Sequence, residues 1–290
     1  MKTTLCLAVT LAALSPPARA GSQGTVSGTA NSPDGTPIRY NAAGKGDPAL
    51  VFVHCGGCNR GFWDGPMAYF AAKHRVVALD LAGYGQSGRG RNDWTMAAFG
   101  QDVVSVVEAL GLKRVVLIGH SLGGPAVLEA ARRMPGRVSG LVLVDSWVDF
   151  EARFPDEEIE KFVSALQADY RGTTTAITSQ YLFSASTPEP VKARVLETVL
   201  SGPQEIGVAV ARSSMAYDPL PALREIKAPI CAISSDQFPT NLEGNRKYVP
   251  GYQAAIMKGV GHYLMLEQPE AFNEHLAWAL RELARSGGGR

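Results

Sequence analysis

The segment 115–124, VVLIGHSLGG, places a serine between a strand and a helix. Its apolar, β-branched start is typical of a buried strand, and the residues from Pro125 onward have the apolar spacing of a helix. The turn GHSLG (119–123) joins them, and its glycines leave room for a sharp, strained backbone at Ser121. Such a turn lifts a hydroxyl clear of the sheet, so Ser121 is the candidate nucleophile. The backbone N–H of Leu122 would then point toward an oxyanion on the bound molecule.

A serine hydroxyl is a weak nucleophile at neutral pH and needs a base within hydrogen-bonding distance. Of the five histidines, His262 has the most suitable context, because it follows a predicted strand and precedes the predicted final helix. A loop there can return the imidazole to the same edge of the sheet as Ser121. His120 adjoins the serine, so its side chain should point away and pack, and His54 should order the loop after its strand. His262 is therefore the candidate base.

The imidazole of His262 would need a carboxylate that holds its tautomer and stabilises its protonated form. Two aspartates end predicted strands: Asp236 follows residues 230–235, and Asp145 follows residues 141–144. Both preserve the chain order serine, acid, histidine. We expect Asp236 to be the partner and keep Asp145 as the alternative, which could also be a turn or helix-capping residue.

A second backbone donor for the oxyanion is expected in the loop after the predicted strand 50–54. The sequence Cys55-Gly56-Gly57 follows that strand, and glycine lets the backbone approach a ligand closely. Gly56 N–H and Leu122 N–H are therefore the predicted pair of oxyanion donors.

Three cysteines follow the first twenty residues, and two of them form a Cys-x-x-Cys at Cys55 and Cys58. This pair could be a redox site, half of a zinc site or a local disulfide. No second Cys-x-x-Cys or Cys/His cluster would complete a metal site, so a small disulfide or two free thiols is favoured and no metal is predicted. Cys231 lies in an apolar run and is expected to be a small core residue.

A glycine-rich segment at residues 83–88, GYGQSG, matches the Gly-x-Gly-x-x-Gly pattern of dinucleotide sites. Such a site requires the motif to open a helix, with an acidic residue about twenty positions later. Here the loop-like sequence RGRND follows. The segment is therefore interpreted as a structural turn, and no cofactor is predicted.

The first twenty residues are predicted to be a secretory signal peptide, cleaved after Ala20. Lys2 gives a positive start, residues 5–14 are apolar, and Ala-Arg-Ala at 18–20 fits a cleavage site. Cleavage removes Lys2 and Arg19 and no acidic residue, so the formal net charge falls from +1 to −1. The mature protein would be secreted or periplasmic, and nothing in its charge pattern indicates nucleic acid or a stable membrane anchor as a partner.

The rest of the chain alternates predicted strands and helices, which is typical of a parallel sheet covered on both faces. The alternation is interrupted between Trp147 and Pro221, where only helical patterns occur, and this predicts a cap over the carboxyl edge of the sheet. The predicted strands are 36–41, 50–54, 75–80, 114–119, 138–145, 229–235 and 252–257. The predicted organisation is a signal peptide (1–20), a core (21–146 and 222–285), a cap (147–221) and a disordered tail (286–290).

Together these features resemble the α/β-hydrolase superfamily over roughly residues 36–283. The resemblance rests on VFVHCGG (51–57), DLAGYGQS (80–87), GHSLG (119–123), the Asp236 turn and Gly261-His262. The segment EQPEAF (267–272) is similar to the one that follows the histidine in cap-bearing members. The resemblance implies an α/β fold: an eight-stranded, mostly parallel sheet with helices on both faces, and a helical cap between the sixth and seventh strands.

One residue departs from this family pattern. Members usually have glycine after the histidine, where this chain has Cys55. A side chain there would either crowd the acyl pocket or pair with Cys58, and either arrangement would change the substrate preference.

A serine at this turn, where some members carry aspartate or cysteine, implies acyl transfer to water through an acyl-enzyme intermediate. The expected protein is a serine hydrolase that needs no cofactor and cleaves carboxylic esters or lactones of mostly apolar small molecules. The alternatives are carbon–carbon bond hydrolysis or cofactor-free perhydrolysis with the same residues, and a non-catalytic ligand-binding or receptor protein of this fold.

The substrate pocket is expected to include Cys55, Trp147, Phe150, Phe238 and Tyr263. Some of the large side chains in the predicted cap should line an apolar pocket, although most aromatic residues at helical spacing are core. These cap residues are Phe150, Phe154, Phe162, Tyr170, Tyr181, Phe183, Met215 and Tyr217.

Overall fold

The computed structural model describes residues 24–287. The predicted signal peptide (1–20) and residues 288–290 of the predicted tail lie outside this range. The prediction of disorder at residues 286 and 287 is wrong, because the last helix continues to Gly287. Arg285 pairs with Glu282 one turn earlier, at 2.7 Å, which stabilises the final turns of that helix.

One eight-stranded sheet forms the centre of the molecule, in the order β1-β2-β4-β3-β5-β6-β7-β8. Strands β3 to β8 are parallel, whereas β2 is antiparallel to both β1 and β4. This confirms the predicted eight-stranded, mostly parallel sheet. The strands are β1 Val26–Asn31, β2 Pro37–Ala43, β3 Ala49–Val53, β4 Val76–Leu79, β5 Val115–His120, β6 Val138–Val144, β7 Ile230–Ser235 and β8 Gln253–Met257.

The sequence pattern did not indicate β1. This edge strand reads VSGTAN and is mostly exposed, so it lacks the apolar alternation that marks the buried strands. Its pairing with β2 over six residue pairs holds it in the sheet.

Helices cover both faces of the sheet. On one face α2 (Met96–Ala109) and α3 (Gly123–Arg133) pack against Val51, Val77 and Leu117. On the other, α1 (Asp64–Phe70) and α11 (Pro269–Gly287) pack against alternate residues such as Leu50 and Val116. Because successive side chains of a strand point to opposite faces, the central strands are buried on both sides and read as continuous apolar runs.

The segment between β6 and β7 forms five helices. They are α4 Asp156–Ala168, α5 Tyr170–Ile177, which continues as a π-helical turn over Thr178–Leu182, α6 Glu189–Val199, α7 Gln204–Met215 and α8 Leu220–Glu225. α4 buries Ile159, Val163 and Leu166 at helical spacing. α8 spans the predicted cap boundary at residue 221, and its Ala222 and Leu223 are buried in the core that contains α3.

Two short helices, α9 (Leu242–Arg246) and α10 (Leu264–Glu267), lie after β7 and β8, and a 3-10 turn covers Arg60–Trp63 after β3. Across residues 24–287, no helix combines the length and the apolar character that crossing a membrane would need.

Candidate active site

Ser121 lies at a sharp turn between β5 and α3, as predicted. Its φ is +53°, and Asp145 is the other non-glycine residue with positive φ among the described residues. A Cβ atom on Gly119 would lie 2.3 Å from the carbonyl oxygen of Gly123, and one on Gly123 would lie 2.5 Å from that of Val53. The turn can therefore form only with glycine at both positions.

The backbone around Ser121 is anchored to the next strand. Ser121 N–H donates to the carbonyl oxygen of Val144 at 2.9 Å. The hydroxyl of Ser146 donates to the backbone carbonyl oxygen of Ser121 at 2.8 Å. These bonds hold the strained turn against the carboxyl end of β6.

His262 reaches the same edge of the sheet from the loop between β8 and α10. Its Nδ1 lies 2.7 Å from Oδ2 of Asp145, and the side chains of the two residues are 12% and 8% exposed. The other carboxylate oxygen of Asp145 accepts from the backbone N–H of Ser235 at 2.8 Å and from its hydroxyl at 3.0 Å. Burial alone would raise the pKa of Asp145, but the hydrogen bonds from His262 and Ser235 hold it below its ordinary value.

The prediction that Asp236 is the carboxylate partner of His262 is wrong; the alternative, Asp145, makes that contact. Asp236 is exposed, and its Oδ1 accepts from the backbone N–H of Gly259 at 2.9 Å, in the turn after β8. Asp145 extends β6 by one hydrogen bond to Ile233 and then turns with a φ of +43°. This conformation, which aspartate tolerates better than most residues, directs its side chain to His262.

The predicted oxyanion donors Gly56 and Leu122 lie together beside Ser121, and all three line one cavity. A Cβ atom on Gly56 would be 3.8 Å from the side chain of Leu122, which is ordinary contact distance. Leu122 directly precedes α3, where backbone N–H groups have no partner within the helix. Gly56 and Leu122 are thus adjacent to Ser121, and their role as oxyanion donors stays a prediction.

His54 orders the loop that contains Gly56, which confirms its predicted role. The backbone N–H of Leu81 donates to Nε2 of His54 at 3.0 Å, so Nδ1 carries the proton and donates to the carbonyl oxygen of Cys55 at 2.7 Å. The ring is buried, and burial lowers the pKa of His54, which favours this neutral tautomer.

Cys55 and Cys58 form a disulfide, one of the two arrangements that the sequence favoured. Cys231 is a buried free cysteine in β7, as predicted for a core residue. Within residues 24–287, no three His, Cys, Asp or Glu side chains are grouped so that they could hold a metal ion.

His120 is buried, as predicted, but it also supports the histidine loop. Its Nε2 lies 2.8 Å from the backbone carbonyl oxygen of His262, and because a carbonyl can only accept, His120 donates. Burial lowers the pKa of His120 to about 3, so the ring is neutral. The position of this histidine next to the serine gave no signal of the contact, because it joins residues far apart in the chain.

Glu267 also supports the histidine loop, and sequence reasoning did not identify it. Its carboxylate accepts from the backbone N–H of Gly261 at 2.8 Å, from that of Tyr263 at 3.3 Å and from the hydroxyl of Thr187 at 2.8 Å. His262 N–H donates to the carbonyl oxygen of Leu182 at 2.8 Å. The segment before α6 is thus bonded directly to the loop that carries His262.

A cavity of about 540 Å³ lies between the carboxyl edge of the sheet and the helices inserted after β6. Ser121 and His262 line it, together with Cys55, Trp147 and Tyr263 of the predicted pocket. Five of the large residues proposed from the cap also line it: Phe154, Phe162, Tyr170, Met215 and Tyr217. The acidic and basic side chains in its wall, apart from the imidazole of His262, are Asp149 and Arg153. Arg153 pairs with Asp218, so its charge is already partnered, and Asp149 accepts from the neutral amide of Asn241 at 2.8 Å.

The prediction that Phe150 and Phe238 line the pocket is wrong. Phe150 is fully buried against Tyr252, with ring centroids 5.3 Å apart, and its backbone N–H donates to the side chain of Asn245 at 2.8 Å. This bond directs Phe150 into the core below the cavity. Phe238 follows β7 in a loop and is 50% exposed, outside the residues that line the cavity.

The glycine-rich segment 83–88 forms a turn, as predicted. Gly83 N–H donates to the carbonyl oxygen of Gly88 at 2.8 Å, and a Cβ atom on Gly85 would lie 2.3 Å from the carboxyl group of Asp80. Tyr84, within this turn, lines the cavity.

The chain is similar to several known proteins. It is 36% identical over 107 residues to an uncharacterised protein of Mycobacterium bovis. The matched region covers 37% of this chain but only 31% of that relative's length. A strigolactone esterase of Arabidopsis thaliana is 25% identical over 258 residues, 84% of this chain and 96% of the esterase. Among solved structures, an N-acyl homoserine lactone degrading enzyme is 25% identical, with a TM-score of 0.74 over 87% of this chain and 99% of its own.

The broadest match is to a protein family. The sequence model of the alpha/beta hydrolase family matches residues 50–275, a range that includes Ser121, Asp145 and His262 and extends over most of the sheet. The fold, the glycine-flanked turn at Ser121 and this match agree, and the chain belongs to the alpha/beta hydrolase family.

Proposed function

We propose that this protein hydrolyses carboxylic esters, or lactones, of uncharged and mostly apolar small molecules through an acyl-enzyme intermediate. The observation that carries the proposal is the pairing of His262 with Asp145 at 2.7 Å, because His262 lines the same cavity as Ser121. A nucleophile, a base and a carboxylate that orients the base are the three groups that serine-based acyl transfer requires.

In the proposed reaction, Ser121 Oγ attacks the carbonyl carbon while Nε2 of His262 takes its proton. The tetrahedral intermediate carries a negative oxygen, which the N–H groups of Gly56 and Leu122 stabilise. His262 then gives the proton to the leaving alkoxide. Water repeats the sequence on the acyl-enzyme and releases the acid. Asp145 stabilises the imidazolium in both halves because it accepts from Nδ1–H throughout.

The substrate class follows from the cavity wall. Most of the wall is apolar or aromatic, and the arginine in it, Arg153, is already paired with Asp218. An anionic substrate would lose its hydration without gaining a free counter-ion, which is costly. An uncharged ester or lactone loses little. The similarity to an esterase and to a lactone-degrading enzyme supports the same class.

The test compares purified mature protein with Ser121→Ala on nitrophenyl esters of short and long acids and on a panel of lactones. We expect turnover by the wild type and a loss of at least about a thousandfold in the variant. Ser139→Ala is the matched control, because this serine binds the carbonyl oxygen of Val115 in the sheet and does not line the cavity. Equal turnover by the wild type and Ser121→Ala would overturn the proposal.

Labelling with a fluorophosphonate separates an enzyme from a binding protein. We expect one adduct on Ser121, formed by the wild type and lost in His262→Ala. A protein that binds a small molecule without activating the serine would stay unlabelled. If esters are not hydrolysed, cleavage of a diketone would instead favour carbon–carbon bond hydrolysis at the same site. Formation of a peracid from an ester and hydrogen peroxide would favour perhydrolysis.

A further inference from the structure

We propose that the Cys55–Cys58 disulfide is a positioning element for the oxyanion donor Gly56, an inference that rests on the proposed function. The bond joins two residues three positions apart and encloses Gly56 and Gly57 in a small ring. The bond therefore restricts Gly56 and Gly57, the two residues of the loop whose backbone is intrinsically most flexible.

The need for a restraint follows from the glycines. Glycine has the largest conformational freedom of any residue, so an unconstrained Gly-Gly loop spreads its N–H groups over many directions. Catalysis of acyl transfer requires the donor to point at the developing oxyanion before the reaction starts. In the structure Cys58 N–H donates to the carbonyl oxygen of Cys55 at 3.2 Å, and the disulfide closes the same turn through the side chains. Gly57 adopts a φ of +73° within it.

The ring is fixed from both sides. On the sheet side, His54 donates to the carbonyl oxygen of Cys55 at 2.7 Å. On the other side, Cys55 and Cys58 are buried with Val199 of α6, and a Cβ atom on Gly57 would lie 3.1 Å from the Cβ of Val199. Gly56 itself remains exposed toward the cavity. The disulfide thus holds one exposed glycine between two anchored residues.

A purely stabilising role is the competing explanation, and the ring size argues against it. A disulfide restricts the unfolded chain more as the loop it closes becomes longer. A separation of three residues closes a very short loop, so the unfolded chain is restricted less than by a disulfide between distant residues. The principal effect of this bond is on the local geometry of the native loop.

The first experiment compares the wild type with the double variant Cys55→Ala/Cys58→Ala in ester hydrolysis. We expect kcat to fall about 10- to 100-fold, because a displaced donor weakens transition-state stabilisation, while KM changes less than about twofold. Cys231→Ala is the matched control, since it removes a buried cysteine of β7 outside this loop, and we expect its kcat to stay within about twofold of the wild type.

The outcomes are separated by measuring Tm together with kcat. A lower Tm with unchanged kcat in the double variant would overturn the positioning role and leave a structural bond. Wild-type turnover that does not depend on Ser121 would overturn the proposed function. Turnover that depends on Ser121 but is unaffected by the double substitution would overturn only the inference about the disulfide.

A reversible experiment covers the case in which the double variant fails to fold. Because both cysteines are buried, the wild type is unfolded in guanidinium chloride and refolded with dithiothreitol. Dithiothreitol supplies two electrons and two protons to the S–S bond, which gives two thiols, and itself becomes a cyclic disulfide. We expect the refolded, reduced protein to show the lower kcat, and reoxidation to restore it. Equal kcat in the reduced and oxidised folded forms would contradict the proposal.

Discussion

Asp145 and His262 come from the ends of different parallel strands and meet at 2.7 Å at the carboxyl edge of the sheet. Asp145 needs a φ of +43° to make this contact, and Ser235 occupies its second oxygen with two hydrogen bonds. Ser235, at the end of β7, therefore fixes the carboxylate of Asp145. The fixed carboxylate can hold the imidazole of His262 in one orientation.

This relationship predicts different effects for the two aspartates. Asp145→Asn should lower kcat by about 10³- to 10⁴-fold, because an amide offers Nδ1 the wrong hydrogen-bonding partner and cannot stabilise the imidazolium. Asp236→Asn should leave kcat within about threefold, since Asp236 contacts the turn after β8 and not His262. The comparison is made on one nitrophenyl ester at saturating concentration.

Circular dichroism and Tm of both variants provide the control for folding. A large loss of kcat in Asp236→Asn, with Asp145→Asn near the wild type, would contradict the proposed role of Asp145.

The sequence predicted the sheet and the turn at Ser121 because both depend on local patterns. The buried parallel strands are continuous apolar runs, and the glycines at 119 and 123 are required by backbone contacts within a few ångströms of the serine. The edge strand β1 was missed because its exposed residues are mostly polar or small.

The acid and part of the pocket could not be predicted, because they depend on contacts between distant segments. Asp145 and Asp236 both end strands, and only the backbone conformation after β6 distinguishes them. Phe150 has the composition of a pocket residue, but a hydrogen bond from its backbone to Asn245, far along the chain, directs it into the core. Glu267 binds both Thr187 of the cap segment and Gly261 of the histidine loop, and these two segments are likewise distant from each other in sequence.

His120 predicts a pH dependence of stability. Its folded pKa is about 3, below the unfolded value of about 6.5, so between these values the unfolded state binds the extra proton. The free energy of unfolding should therefore fall as the pH decreases through 6.5, by up to about 1.4 kcal/mol per pH unit for this group. Urea unfolding at pH values from 4.5 to 7.5 measures the slope.

The variant His120→Gln isolates this contribution, because its amide can still donate to the carbonyl oxygen of His262 but does not titrate. We expect a flatter dependence than in the wild type over the same pH range. Identical slopes for both proteins would show that His120 does not carry the effect.

Glu267 predicts a coupling between stability and activity. Glu267→Gln keeps the size of the side chain but replaces one acceptor oxygen with an NH₂ group, which then faces the N–H group of either Gly261 or Tyr263, because these two donate to different oxygens of Glu267. We expect a loss of about 1–3 kcal/mol in the free energy of unfolding and a fall in kcat, because the loop of His262 loses its fixed position. Thr187→Val removes one donor to the same carboxylate and should have a smaller effect on both quantities. A kcat unchanged by Glu267→Gln would contradict this coupling.

Export is a separate prediction, since the predicted signal peptide lies outside the described residues. If residues 1–20 are removed on secretion, N-terminal sequencing of the exported protein should begin at Gly21. The Cys55–Cys58 disulfide agrees with an oxidising compartment. A mature protein that retains Met1 would contradict the prediction.

The cavity wall predicts how substrate size can be changed. Ala211 lies on α7, lines the cavity and is only partly buried, so Ala211→Phe should fill acyl-binding space without overpacking the core. We expect kcat/KM for long-chain nitrophenyl esters to fall about tenfold, equivalent to about 1.4 kcal/mol, while that for the acetate changes less than about twofold. Ala209→Phe is the control, because Ala209 is on the same helix but does not line this cavity. An equal loss for short and long esters, or the same loss in Ala209→Phe, would place the acyl chain elsewhere.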